Sequence, residues 1–466
     1  MARLSQNTVP PKSHHQFMKR FVISVALLGV LAGCSAPEPG SGLILDAVPG
    51  PDAGNPNSMY VFDGLLYLQL NDNIFGSEIW AYDGSSLERV SDIEPLSGNS
   101  GPARFFTFEG DLYFTALKEP YGRELFMLDG NDARLIKDIG GNSGSSSPVG
   151  FFEFNGVVYF SANDQSSGYE LWQWDGEQVI QTSDINSGPG SSNPSGFVQL
   201  GDIMVFSAER SGMGTELFTY DGINVSLVED LNPGPSGSRP SELKVVGNTV
   251  YFSAYTPETG IELWSYDGER IRLVADLNEG ADSSSPRSKV VHEERLFFAA
   301  NAPNTGIELY SVTPGSAPVL TADLREGDRG SNPEAMFSHG EQLYFAADDG
   351  STGLELWDWT AAEGVQMVAD IDEGSMGSDP HAFVSFDSAW VYFSARTQQY
   401  GVELWRTNGT TTEMMMDIWE GESGSTPNDY AVLGESICFS AADGTHGREF
   451  WCLPHNSVTP ILSRTR

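Results

Sequence analysis

The tripeptide Glu-Leu-Trp, or a close variant, returns nine times in this chain, each copy two residues after a glycine. The glutamates are Glu78, Glu124, Glu170, Glu216, Glu262, Glu308, Glu355, Glu403 and Glu449; successive copies lie 46 residues apart five times, then 47, 48 and 46. A period of that size belongs to propellers, solenoids and arrays, in which one supersecondary unit is copied and each copy buries its apolar faces against the next.

Other positions repeat in register with the glutamate. Aspartate recurs at Asp46, Asp92, Asp138, Asp184, Asp230, Asp276, Asp323, Asp370 and Asp417, and a proline follows ten residues after each, with serine two positions before it in eight of the nine units. Within a unit the pattern predicts four short strands. In the third unit these are Phe151 to Phe154, Val157 to Ala162, Glu170 to Trp174 and Gln178 to Thr182, with Asn155-Gly156 and Asp175-Gly176 as hairpin turns. The third strand is apolar on both faces, Leu171 on one and Trp172 and Trp174 on the other. A strand buried on both sides requires a sheet packed between two others. The segment from the recurring aspartate to the proline must cross three strand spacings, roughly 14 Å at about 4.8 Å each, which ten residues span easily. The expected fold is therefore an all-β propeller of about nine four-stranded blades over residues 43–466, with an open β-solenoid as the alternative. Leu43-Ile44-Leu45 reads as an orphan fourth strand and Val458 to Leu462 as a second candidate for the outer strand of the last blade; either could close the ring.

Residues 1–33 are distinct from everything after them. They hold Arg3, Lys12, Lys19 and Arg20 and no acidic residue, and Met18-Lys19-Arg20 precedes an apolar run from Phe21 to Gly33 that is too short to span a bilayer. This is a secretory signal with Met18 as the expected start. Leu31-Ala32-Gly33-Cys34 resembles the lipobox of bacterial lipoproteins, which implies lipidation of Cys34 and, with Ser35 following, sorting to the outer membrane of a Gram-negative cell. Residues 34–42 then form a lipidated, flexible tether. Removing the leader leaves 21 basic residues against 64 acidic ones, a formal charge of −43, which repels nucleic acid and leaves the lipid anchor as the expected membrane contact. Cys438 and Cys452 lie on adjacent expected strands, where a disulfide is plausible in an oxidising compartment if the register turns the sulfurs together.

The Gly-x-Glu-Leu-Trp run, the Asp-Gly turn and the Asp-Ile/Leu-x-x-Gly to Ser-x-Pro loop together resemble the bacterial ELWxxDGT repeat family over residues 43–466. Thr313-Pro314-Gly315, Thr360-Ala361, Asn408-Gly409 and Pro454 depart from the Asp-Gly turn. The resemblance implies an extracytoplasmic repeat protein and brings no catalytic residues with it.

The recurring carboxylates invite a metal or acid/base reading. Four glutamates have an acidic residue six positions earlier, Asp72, Asp164, Asp349 and Asp443, and these are weak calcium candidates. The same position is Lys118, Arg210 or Ala302 in other units whose glutamate is unchanged, so the expected role of the glutamate is to accept backbone N–H groups. The aspartates are expected to cap turns. His292, His339, His381, His446 and His455 are scattered and expected at the surface. No cofactor is expected beyond a possible calcium ion. These features favour a lipid-anchored, non-enzymatic binding or scaffolding module with a protein or glycan partner at the cell envelope. A polysaccharide hydrolase or lyase at the central channel and a calcium-stabilised adhesion or structural protein are the alternatives.

Overall fold

The computed structural model describes residues 42–466 except 142, 457 and 458. The leader, Cys34 and nearly all of the tether lie outside the described residues. Among those residues the chain forms 37 strands and no helix, and the strands pair into nine antiparallel sheets. It is a nine-bladed β-propeller. Each blade contains one of the recurring glutamates on its third strand; the blades are numbered here in that order.

The third blade, built from Val149–Phe154, Val157–Asn163, Tyr169–Trp174 and Val179–Ser183, shows why the sequence demands this arrangement. Trp172 and Trp174 pack with Phe108, Tyr113, Leu125 and Met127 of the second blade, whereas Leu171 and Tyr159 pack with Met204, Phe206 and Phe218 of the fourth. The apolar core is thus a series of slabs between blades. Aromatic rings also bridge the first strands of consecutive blades, as in Phe106 to Phe151 at 4.4 Å between centroids.

Ring closure joins the two ends of the propeller. Leu43–Leu45 pairs antiparallel with the ninth blade's third strand, Arg448–Pro454, and supplies its outer strand. The second candidate behaves differently. The C-terminal strand, Leu462–Thr465, adds a fifth strand to the eighth blade by pairing with Thr411–Met416 instead of completing the ninth. The outer edge of the ninth blade is already occupied, and the eighth offers a free edge and an anchor: Arg466 reaches the fully buried carboxylate of Asp358 in the seventh blade at 2.9 Å. Val458 itself is outside the described residues.

Cys438 and Cys452 are directly opposite in the ninth blade, with Cα atoms 4.0 Å apart, and are joined as a disulfide. In every blade the second residue of the first strand is in the left-handed region, for example Arg104 at φ 56° and Glu242 at φ 50°, and the pairing register shifts there. This one-residue bulge bends the innermost strand and turns a unit-specific side chain out of the ladder.

Candidate functional site

Two sets of residues could carry chemistry: the recurring carboxylates at the blade crossovers, and the unit-specific side chains on the first strands.

All nine glutamates are buried, none more than 1% exposed, and all accept the backbone N–H of the residue that follows the recurring aspartate. The recurring serine completes the cradle. In the third blade Glu170 accepts from Ile185 N at 2.8 Å, Ser192 N at 2.9 Å and Ser192 Oγ at 2.6 Å. The carbonyl of that serine then accepts an N–H from the second strand of the following blade, at 2.7–3.0 Å in all eight units that have it. The serine therefore links one blade's glutamate to the next blade's sheet. The residue after the serine has positive φ in every unit and donates its N–H to the carbonyl just before the glutamate.

The same device closes the ring. Glu449 accepts from Ala47 N at 3.3 Å and Gly54 N at 2.7 Å, and Gly54 O accepts from Asn71 N of the first blade at 2.9 Å. Gly54 stands in the one unit without the serine, so Glu449 lacks the hydroxyl donor that the glutamates of blades two to eight have; in the first blade Ser100 Oγ donates to Ser77 O instead.

The glycine two residues before each glutamate is fixed by the crossover loop. At Gly214, φ is +72° and an added Cβ would lie 2.4 Å from Gly237 N. No larger residue fits there without displacing backbone.

Burial pushes the glutamates toward their neutral form against the pull of the N–H donors. Glu78, Glu355 and Glu403 are raised to about 7, and Glu449 to about 8. Glu124, Glu170, Glu216, Glu262 and Glu308 are also raised, with burial again the leading cause.

The recurring aspartates are less uniform. Asp138, Asp276 and Asp417 accept from Gly141, Gly280 and Gly421 N respectively, as turn caps. Asp230, Asp276, Asp370 and Asp417 each bury one carboxylate oxygen that has no hydrogen-bond partner among the described residues. Asp46, Asp92, Asp184 and Asp323 occupy the same loop position.

Each calcium candidate caps the hairpin between the second and third strands. Asp72 Oδ1 accepts from Ile74 and Phe75 N, Asp164 from Ser166 and Ser167 N, Asp349 from Ser351 and Thr352 N, and Asp443 from Thr445 and His446 N. These donors outweigh burial and hold Asp164 at about 2, with Asp349 and Asp443 also lowered. The glutamate six residues on is spent on a different set of N–H groups. Among the described residues no group of three or more His, Cys, Asp or Glu side chains is arranged to hold a metal ion.

Two histidines depart from the expected surface position. His292 is 3% exposed and His455 8%. His292 occupies the position held by Phe62, Phe108 and Phe154 in the first three blades, and its ring packs edge-on against Trp359 with Nδ1 2.8 Å from Ser338 Oγ. His455 stacks on Phe386 and pairs with the Tyr392 hydroxyl. Register with those phenylalanines was the available signal for His292, although His339, at the same position in the seventh blade, is only half-buried.

Sequence reasoning also missed a pair of lysines on the first strands. Lys289 is buried and donates to Ser253 Oγ at 2.6 Å and Pro286 O at 2.9 Å, with Glu242 3.6 Å away. Burial lowers it to about 8, opposed by Glu242. Lys244, one blade earlier, is exposed. Both line a cavity of about 390 Å³.

No family model matches the chain, and no curated protein matches it. Among solved structures it is similar to a prolyl endopeptidase (10% identity, TM-score 0.41, covering 73% of this chain and 54% of that one). It is also similar to a puromycin-hydrolyzing peptidase of Mycobacterium tuberculosis (10% identity, TM-score 0.39, covering 78% and 61%). A third is the β-propeller domain of the Trilobed protease from Pyrococcus furiosus, which has an open velcro topology (11% identity, TM-score 0.37, covering 69% and 100%). The chain spans just over half to three-fifths of the length of the two peptidases. Their hydrolytic activities are their own; the fold assignment here rests on the strand pairing of the nine blades.

Proposed function

We propose that this chain is an ELWxxDGT-type lipoprotein, anchored through Cys34 at the cell envelope, whose propeller is a non-enzymatic binding or scaffolding module for a glycan or protein. The observation that carries this reading is the shared crossover network. Of the two sets of ionisable groups present in all nine blades, the buried glutamates accept backbone N–H groups in each of them, so their recurring chemistry belongs to the framework. What differs from blade to blade is the side chain turned out by the first-strand bulge: Ser58, Arg104, Glu242, Ser288 and Asp429 among them. A rigid ring presenting variable side chains suits recognition.

The test pairs location with retention. The full chain should fractionate with membranes and Cys34→Ala should release it. Immobilised full chain should retain one or more members of a panel of envelope polysaccharides and outer-membrane proteins. Unmodified Cys34, or a panel that passes through entirely, would contradict the proposal.

A further inference from the structure

One junction of the ring places charged side chains where every other junction places apolar or aromatic ones. At four junctions an aromatic ring at the fourth residue of one first strand meets an aromatic ring at the third residue of the next, Tyr60 with Phe105, Phe106 with Phe151, Phe152 with Phe197, and Phe337 with Phe383, at 4.4–6.5 Å; at four more both residues are apolar or aromatic, as in Val198 and Leu243 or Val384 and Tyr430. Between the fifth and sixth blades the equivalent residues are Lys244 and Lys289. Four lysines exist between Cys34 and the C-terminus, and two of them meet here.

The cavity at this point is lined entirely by first-strand residues of four consecutive blades: Gly196 and Phe197, then Glu242, Leu243 and Lys244, then Ser288 and Lys289, then Ala335 and Met336. At its two ends the bulge position is small, Gly196 in the fourth blade and Ala335 in the seventh. Its volume, about 390 Å³, lies within the range of small-molecule sites, about 300–1,000 Å³.

The charges here are unequal. Lys289 spends its ammonium on Ser253 Oγ, Pro286 O and the nearby Glu242, and its backbone N–H also donates to Glu242 at 3.0 Å. Glu242 therefore balances Lys289. Lys244 is exposed, and its ammonium has no hydrogen bond or ion pair among the described residues. The half-buried ring of Phe197 forms another part of the wall.

We propose that this cavity binds a carboxylate-bearing sugar. Lys244 pairs with the carboxylate, Phe197 supports the apolar C–H face of the pyranose ring, and Glu242 and Ser288 take its hydroxyls. The buried Lys289 holds Glu242 in place and does not touch the ligand. The site deepens the binding-module reading and rests on it, since it names the chemistry of the glycan recognised. A free carboxylate shares the charge but lacks the ring.

Isothermal titration of the full chain tests this with three probes: digalacturonate, its methyl ester and acetate. Digalacturonate should bind, and the ester and acetate should each bind at least tenfold more weakly. Lys244→Met should weaken digalacturonate at least tenfold at an unchanged melting temperature, and Lys244→Arg should recover part of the loss. Equal binding of the ester, or of digalacturonate by Lys244→Met, overturns the assignment while leaving the binding-module reading intact. Acetate binding as tightly as the sugar acid overturns the role of Phe197. Failure of all three probes overturns the site, and retention on the polysaccharide panel then decides separately whether the module binds glycans at all.

Discussion

Glu216→Ala isolates the contribution of one crossover. The carboxylate is 1% exposed and accepts four hydrogen bonds: Ser238 N at 2.7 Å, a short bond from Ser238 Oγ, and two long ones from Leu231 and Asn232 N at 3.4 Å. Alanine removes all four acceptor contacts. A hydrogen bond to a charged group contributes about 1.5–3 kcal/mol, so the two short bonds set a gross loss of about 3–6 kcal/mol. Part is returned because a buried charge no longer has to be desolvated, giving a net loss of roughly 2–3 kcal/mol. A domain of 150–250 residues loses about 2–4 °C per kcal/mol, and a larger one less; a fall of a few degrees is expected by calorimetry. Ligand retention measured well below that midpoint should persist. An unchanged melting temperature together with lost retention would refute the reasoning, because the glutamate would then be a functional group in a structural disguise.

Three further outcomes follow from the same geometry. Raised glutamate pKa values mean that the folded state binds protons the unfolded state does not; the four glutamates raised to about 7 or 8 outnumber the groups that oppose them in this range, Lys289 at about 8 and the lowered His292 and His455, so stability should rise as pH falls from 8 to 6.5, and a flat melting temperature across that window at fixed salt would contradict the burial argument. Gly214→Ala should destabilise more than Gly64→Ala, since both glycines have positive φ but only at Gly214 would the Cβ meet backbone; left-handed strain alone costs about 1–2 kcal/mol, and equal losses by thermal melting would show that the crossover yields. Millimolar calcium in about 0.15 M monovalent salt should raise the melting temperature only slightly, whereas saturable, calcium-selective stabilisation reduced by Asp349→Ala would favour the adhesion reading.

The period and the two-faced third strand made the fold legible, because burial on both sides of Leu171 and Trp172 admits few architectures. Closure was half legible: Leu43–Leu45 carries the pattern of an outer strand, but nothing local says that Leu462–Thr465 pairs with Thr411–Met416, a choice made by which edge is free and by Arg466 reaching Asp358. The glutamate's preference for backbone donors could be inferred from its indifference to the residue six positions earlier. The role of the serine could not, since its hydroxyl and N–H turn to the glutamate and its carbonyl to the next blade only once ten residues of loop have folded. Lys244 and Lys289 looked like two scattered lysines until blade register placed them side by side.

The most direct test of binding without catalysis is to incubate a retained polysaccharide with stoichiometric full chain and analyse the recovered glycan for new reducing ends and unsaturated ends. The account predicts a glycan of unchanged length with neither kind of end. New reducing ends would mark a hydrolase, and unsaturated ends a lyase; either would contradict it.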